Sequence, residues 1–122
     1  MKLSGLTLET IHFEDYLSFL TEVVELELQE LTDISMRLDL NQTWLEIKKV
    51  PTASHQGFSS RIASNVEFCM NPEEYLGLKQ RVDFFYYRRG PSGFLFLSAD
   101  KLACNLVDPD GRTWRFIPEA NL

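Results

Sequence analysis

The sequence predicts an α+β fold in which two βαβββ modules form one curved mixed sheet, with the helices outside and a cup inside. The main observation is that the chain contains the same order of elements twice. Each copy has an alternating strand and then a helix start with acidic residues followed by Tyr-Leu, at Glu14-Asp15-Tyr16-Leu17 and at Glu73-Glu74-Tyr75-Leu76. A period of about 60 residues in two copies is too long for a solenoid, so a duplicated module fits better.

The first module is predicted within residues 1–50. Leu6 and Leu8 alternate with polar neighbours, which is typical of a half-buried strand over residues 3–10. A helix is predicted from Phe13, because apolar residues recur there at helical spacing and acidic residues occupy the first turn, where the helix dipole favours them. Three short strands complete the module, at residues 26–31, 34–40 and 43–50.

The second module is predicted within residues 61–122, after a polar, glycine-containing linker at residues 51–60. Its helix begins at Asn71-Pro72, with asparagine as the N-cap and proline at the first helical position. Two turns are predicted, at Gly90-Pro91-Ser92-Gly93 and at Asp108-Pro109-Asp110-Gly111. The predicted strands are residues 62–70, the aromatic run 82–88, and residues 94–97, 102–107 and 112–117.

Composition limits the possible partners of this chain. Its 122 residues suffice for a single domain, and its net charge of -6 comes without a basic stripe, which argues against a nucleic-acid partner. The acidic balance favours cationic small molecules or simply solubility. No apolar run is long enough to span a membrane, and residues 1–4 lead into a strand and not into a signal sequence. A cytoplasmic protein with reduced cysteines is therefore predicted.

The chain resembles the glyoxalase / bleomycin-resistance / dioxygenase group, the vicinal oxygen chelate superfamily. The residues behind this resemblance are Val107-Asp108-Pro109-Asp110-Gly111 before the last strand, and Glu22-Val23-Val24-Glu25-Leu26-Glu27-Leu28 after the first helix. The resemblance covers almost the whole chain and implies the two-module cup. It also implies a homodimer. The predicted aromatic strands support this, because a single small sheet would leave part of their apolar surface exposed, and such patches are typical of interfaces.

The resemblance places the four metal-ligand positions of that group on Gly5, Glu46, Asn65 and Arg115. An alignment on the two Thr-Trp pairs would instead place Glu46 opposite Phe116. We prefer the alignment on Asp108–Gly111, because alternation then buries Trp114 and Phe116 together under a helix.

Three of these four positions are unsuited to a metal ion. Gly5 has no donor atom, Asn65 is a poor ligand for a transition metal, and the cationic guanidinium of Arg115 would repel a divalent ion. No metal and no other cofactor is therefore predicted. The chain is more similar to the metal-free, bleomycin-binding branch, so we predict a small-molecule-binding protein with its ligand in the cup.

Six residues are predicted to contact that ligand. Trp44 would stack on it, and Tyr86 would contribute from an aromatic strand whose alternative role is core packing. Arg115 would hold an anionic group oriented by Glu46, or the two would form an internal ion pair that plugs the vacant site. The predicted ligand-binding residues are Trp44, Glu46, Asn65, Glu67, Tyr86 and Arg115.

Two other functions remain open at this level. Glu67 or Glu46 could act as a general base in a metal-independent lyase or isomerase. Alternatively, the chain could be an interaction or regulatory module with a collapsed cup. Whether the protein is an enzyme is left undecided, because fold analogy alone does not supply a ligand.

Overall fold

The computed structural model describes residues 1–51, 65–88 and 94–119. Apart from Pro51, the predicted linker lies outside the described residues. So do residues 62–64 of the predicted strand and the turn at residues 90–93. No helix within the described part of the chain is long and apolar enough to cross a membrane.

Each module contains four strands and one helical segment. In the first module they are β1 (Gly5–Thr10), α1 (Phe13–Ser18) with a π-helical continuation (Phe19–Val23), β2 (Glu27–Leu31), β3 (Ser35–Asp39) and β4 (Trp44–Lys49). In the second module they are β5 (Asn65–Met70), α2 (Pro72–Arg88), β6 (Leu95–Ala99), β7 (Cys104–Val107) and β8 (Thr113–Pro118).

The strands form two four-stranded sheets with the same topology. Sheet 1 has the order β1-β4-β3-β2 and sheet 2 the order β5-β8-β7-β6. In both, the first strand pairs in parallel with the last, and the remaining pairs are antiparallel. The predicted α+β fold of two βαβββ modules is confirmed, with the strands divided between two sheets.

The strand register decides between the two alignments of the modules. Gly5 pairs with Trp44 in sheet 1, and Asn65 pairs with Thr113 in sheet 2. Two residues further along each pair, Glu46 therefore corresponds to Arg115. The alignment on the Asp108–Gly111 turn is right, and the alignment on the Thr-Trp pairs is wrong.

The strand predicted over residues 82–88 is wrong, because α2 continues to Arg88. Leu78 and Val82 are both buried and lie four residues apart, on one face of this helix. Tertiary burial along a helical stripe therefore outweighed the strand preference of the aromatic run. Tyr86 accordingly lies on a helix, with its ring 5.8 Å from that of Phe96, and not on the wall of a cup.

The start of α2 explains why a helix forms from this sequence. The Asn71 side chain accepts a hydrogen bond from the backbone N–H of Glu74 at 2.8 Å, and the Glu74 carboxylate accepts one from the backbone N–H of Asn71 at 3.2 Å. This reciprocal cap satisfies two backbone donors at the helix start. The N-cap predicted from the sequence is thus present.

The two modules share one hydrophobic core. Phe19 of the first module packs edge-on against Trp114 of β8, with ring centroids 5.4 Å apart. Trp114 and Phe116 are both buried, as the alternation of the last strand predicts.

Cys104 is buried in this core, and desolvation raises the pKa of its thiol to about 11. Cys69, by contrast, is exposed.

The Asp108–Gly111 turn connects the modules through a buried polar network. The Asp108 carboxylate accepts hydrogen bonds from the Tyr16 hydroxyl of α1 and, at 2.7 Å, from Trp114 Nε1. Arg112 donates to the Tyr16 oxygen at 2.7 Å and to the backbone carbonyl of Glu9 at 2.9 Å. Burial, together with the nearby Asp108 carboxylate, raises the pKa of Tyr16 well above its ordinary value. The Asp108–Gly111 turn and the adjoining Arg112 therefore link the start of β8 to the first module through hydrogen bonds.

Candidate functional site

Each sheet has one apolar face in the core and a reverse face, which we call its open face. Successive side chains of a strand point to opposite faces, so burial of the apolar positions places the polar ones on the open face. The open face of sheet 1 carries Gly5, Thr7, Arg37, Trp44 and Glu46. That of sheet 2 carries Asn65, Glu67, Asn105, Thr113 and Arg115. Of the predicted ligand-binding residues, all but Tyr86 lie on these faces.

Glu46 has its charged and hydrogen-bonding partners on its own sheet. One carboxylate oxygen lies 3.8 Å from Nη2 of Arg37, and the other accepts a hydrogen bond from the Thr7 hydroxyl at 3.2 Å. The three residues are register neighbours across β1, β4 and β3. Glu46 is thus held between a cation and a hydroxyl.

Arg115 has its partner on sheet 2. Its Nε lies 3.3 Å from a carboxylate oxygen of Glu67, the residue paired with it across β5 and β8. The predicted ion pair between Glu46 and Arg115 does not form within the described chain. Glu46 and Arg115 occupy equivalent positions in separate sheets. Each is therefore closer to an opposite charge on a neighbouring strand of its own sheet, Arg37 and Glu67 respectively. Arg115 lies on the face of β8 opposite the buried Trp114 and Phe116, and its side chain is half exposed.

Gly5 provides space for Trp44. A Cβ atom at Gly5 would collide with the indole carbons Cδ2 and Cε2 of Trp44, so the indole lies directly against the β1 backbone. The position where the resemblance expects a metal ligand is therefore covered by an aromatic ring. Glycine is required here by close packing of the ring.

Arg37 was missed by the sequence analysis. Its guanidinium carbon lies 4.4 Å from the centroid of the Trp44 ring, close enough for a cation–π contact. The signal was present, because Arg37 alternates with the buried Met36 and Leu38. Its position beside Glu46 and Trp44 depends on strand pairing, which the sequence does not give.

The residues at the four expected positions do not fit a metal ion. Gly5 is covered by Trp44, and Arg115 brings a cation that is already paired with Glu67. Glu46 is the one strong donor, and it is shared by Arg37 and Thr7. Among the residues that the structure describes, no group of three or more His, Cys, Asp or Glu side chains is placed to hold a metal.

A cleft of about 530 Å³ lies between the modules, away from these residues. Its lining includes Phe68, Phe116 and five acidic residues. This volume falls in the usual range for small-molecule sites. None of the five predicted ligand-binding residues of the open faces lines it. The acidic lining residues are Glu25, Glu27, Asp39, Glu74 and Glu119.

Known structures resemble the chain over nearly its whole length. A glyoxalase-related enzyme from Fulvimarina pelagi superposes with a TM-score of 0.72 at 16% identity, covering 98% of this chain and 88% of that one. The FosX fosfomycin resistance protein from Mesorhizobium loti gives 0.70 at 12% identity, covering 98% and 92%. The chain has a glyoxalase-type fold.

A third structure extends the comparison. A glyoxalase/bleomycin resistance protein/dioxygenase family enzyme from Burkholderia phytofirmans PsJN gives a TM-score of 0.67 at 15% identity, covering 95% of this chain and 97% of that one. The resemblance noted in the sequence is thus confirmed as a shared fold. No protein-family model and no curated protein sequence matches the chain.

Proposed function

We propose that the protein binds a small molecule without a metal ion, in a cup lined by the open faces of its two sheets. The observation behind this is the chemistry at two of the four expected ligand positions. Gly5 is covered by an indole, and Arg115 provides a cation where the resemblance expects a carboxylate ligand. The open faces keep polar, solvent-accessible side chains, so they are suited to binding even though they do not suit a metal.

We further propose that a second copy of the chain completes the cup. Within the described residues, β1 and β5 are edge strands, each paired with one neighbour. Edge strands offer unpaired backbone groups to another strand. Pairing β1 of one copy with β5 of the other would place Gly5 and Glu46 beside Asn65 and Arg115. The net charge of -6 supports a partner other than nucleic acid.

Metal content tests the first proposal. The purified protein is dialysed against zinc, nickel, manganese and iron(II) salts, and the bound metal is measured by elemental analysis. We expect far less than one equivalent, for both the natural chain and Glu46→Gln. Near-stoichiometric metal that is lost in Glu46→Gln would disprove the proposal.

Sedimentation tests the second proposal. Leu6→Lys adds a charge on the exposed edge strand β1, and Leu76→Lys adds the same charge on the exposed surface of α2. We expect the natural chain and Leu76→Lys to sediment as dimers at micromolar concentration and Leu6→Lys as a monomer. A natural chain that sediments as a monomer would contradict the proposal.

A further inference from the structure

The open face of sheet 1 contains a three-layer arrangement whose equivalent in sheet 2 has different chemistry. The layers are the backbone at Gly5, the indole of Trp44 and the guanidinium of Arg37. By register, the positions in sheet 2 that correspond to Trp44 and Arg37 are Thr113 and Asn105. Of these two sets of equivalent positions, that of sheet 1 alone carries a guanidinium over an aromatic ring.

The guanidinium of Arg37 is available to a ligand. Its side chain is 41% exposed, and among the described residues none accepts a hydrogen bond from it. The Glu46 carboxylate at 3.8 Å is near enough to balance its charge and too far for a hydrogen bond. A guanidinium carries five N–H donors in one plane, and contact with the Trp44 indole restricts where that group can move.

A carboxylate of a ligand could replace the Glu46 carboxylate beside Arg37. It already has a second partner, the Thr7 hydroxyl at 3.2 Å, which would retain it if Arg37 turned to another anion. An incoming carboxylate could make the two parallel N–H···O bonds that Glu46 does not make. An aromatic group attached to this carboxylate would lie close to the plane of the guanidinium and could pack against the exposed part of the Trp44 indole.

We propose that the Arg37–Trp44 stack receives the ligand and selects a planar aromatic carboxylate. This rests on the proposed small-molecule function and names the ligand class. The whole-protein charge of -6 would favour a cationic ligand at long range. Two opposite sources of selectivity, the local stack and the global field, are therefore separable by experiment.

The experiment uses three probes of matched shape: 2-naphthoate, 2-naphthylmethylammonium and 2-naphthalenemethanol. Binding is followed by NMR through the two indole N–H resonances, one from each tryptophan. Trp114 Nε1 is buried and bonded to Asp108, so its resonance is an internal control. We expect 2-naphthoate to shift the Trp44 resonance alone and to bind about tenfold more tightly than the other probes, as a charge-assisted bidentate contact would produce.

Three variants complete the test. Arg37→Gln should reduce the affinity for 2-naphthoate to that for the neutral alcohol. Arg37→Lys should lose most of the preference as well, because an ammonium has no plane. Lys101→Gln removes an exposed cation from another part of the surface and should change nothing.

The outcomes separate this inference from the function on which it rests. Tighter binding of the cation or the alcohol, no binding of 2-naphthoate, or full retention in Arg37→Lys would overturn the aromatic-carboxylate assignment. Any probe that binds at Trp44 would still leave small-molecule binding intact. Stoichiometric metal in the dialysis experiment would overturn the proposed function whichever probe bound.

Discussion

Arg112 and Arg115 lie three residues apart in the chain and have opposite environments. The Arg112 side chain is 7% exposed and bonded to Tyr16, Asp110 and the Glu9 carbonyl. The Arg115 side chain is 48% exposed, and within the described part of the chain it forms an ion pair with Glu67 alone. Burial with several fixed partners makes Arg112 a structural charge, whereas exposure leaves the Arg115 guanidinium accessible to solvent. A ligand-binding role was predicted for Arg115, and no role was predicted for Arg112.

The largest expected effect is on Arg112. Arg112→Ala should lower the free energy of unfolding by roughly 3–5 kcal/mol, because it leaves buried carboxylates uncompensated. Chemical denaturation monitored by circular dichroism measures this. A loss below about 1 kcal/mol, as for a surface ion pair, would show that the network does not join the modules.

An intermediate effect is expected at Gly5. Gly5→Ala should cost about 1–3 kcal/mol of unfolding free energy, because the added methyl group collides with the Trp44 ring. In a Trp44→Leu background the same change should cost much less. Equal costs in both backgrounds, measured by urea denaturation, would show that the ring does not rest on Gly5.

The buried network and core should also make stability depend on alkaline pH. The pKa of Cys104 is raised to about 11 by burial, and that of Tyr16 is raised as well. A raised folded-state pKa gives stability that is complete below the unfolded pKa and is lost as pH rises through the folded value. The free energy of unfolding should therefore fall between pH 9 and pH 11. Cys104→Ala should reduce the slope of the unfolding free energy against pH. An unchanged slope would show that a group other than Cys104 causes the pH dependence.

The smallest effect on stability is expected at Arg115. Arg115→Ala should change the unfolding free energy by only about 0.2–1 kcal/mol, because its ion pair with Glu67 is solvent-screened. The same change should weaken ligand binding in the proposed cup. Thermal denaturation and probe titration measure the two effects. A loss of several kcal/mol would place Arg115 with Arg112 as a structural charge.

The order of the two modules, the N-cap at Asn71 and the burial of Trp114 and Phe116 could be predicted from the amino-acid sequence alone. Period-two and helical spacing, with turn residues between, specify which face of an element is apolar. The same alternation places Trp44, Glu46, Asn65, Glu67 and Arg115 on the faces opposite the core. These are local properties of each segment, so a single sequence contains them.

Which side chains contact one another could not be predicted in this way, because it depends on the three-dimensional packing. The aromatic run at residues 82–88 joined α2 because a buried helical stripe outweighed local strand preference. Strand register determines that Glu46 forms an ion pair with Arg37 and that Arg115 forms one with Glu67. Distant packing set the Trp44 ring on Gly5 and Tyr16 against Asp108. Such contacts depend on how the elements pair and pack in space, and spacing along the chain does not record that.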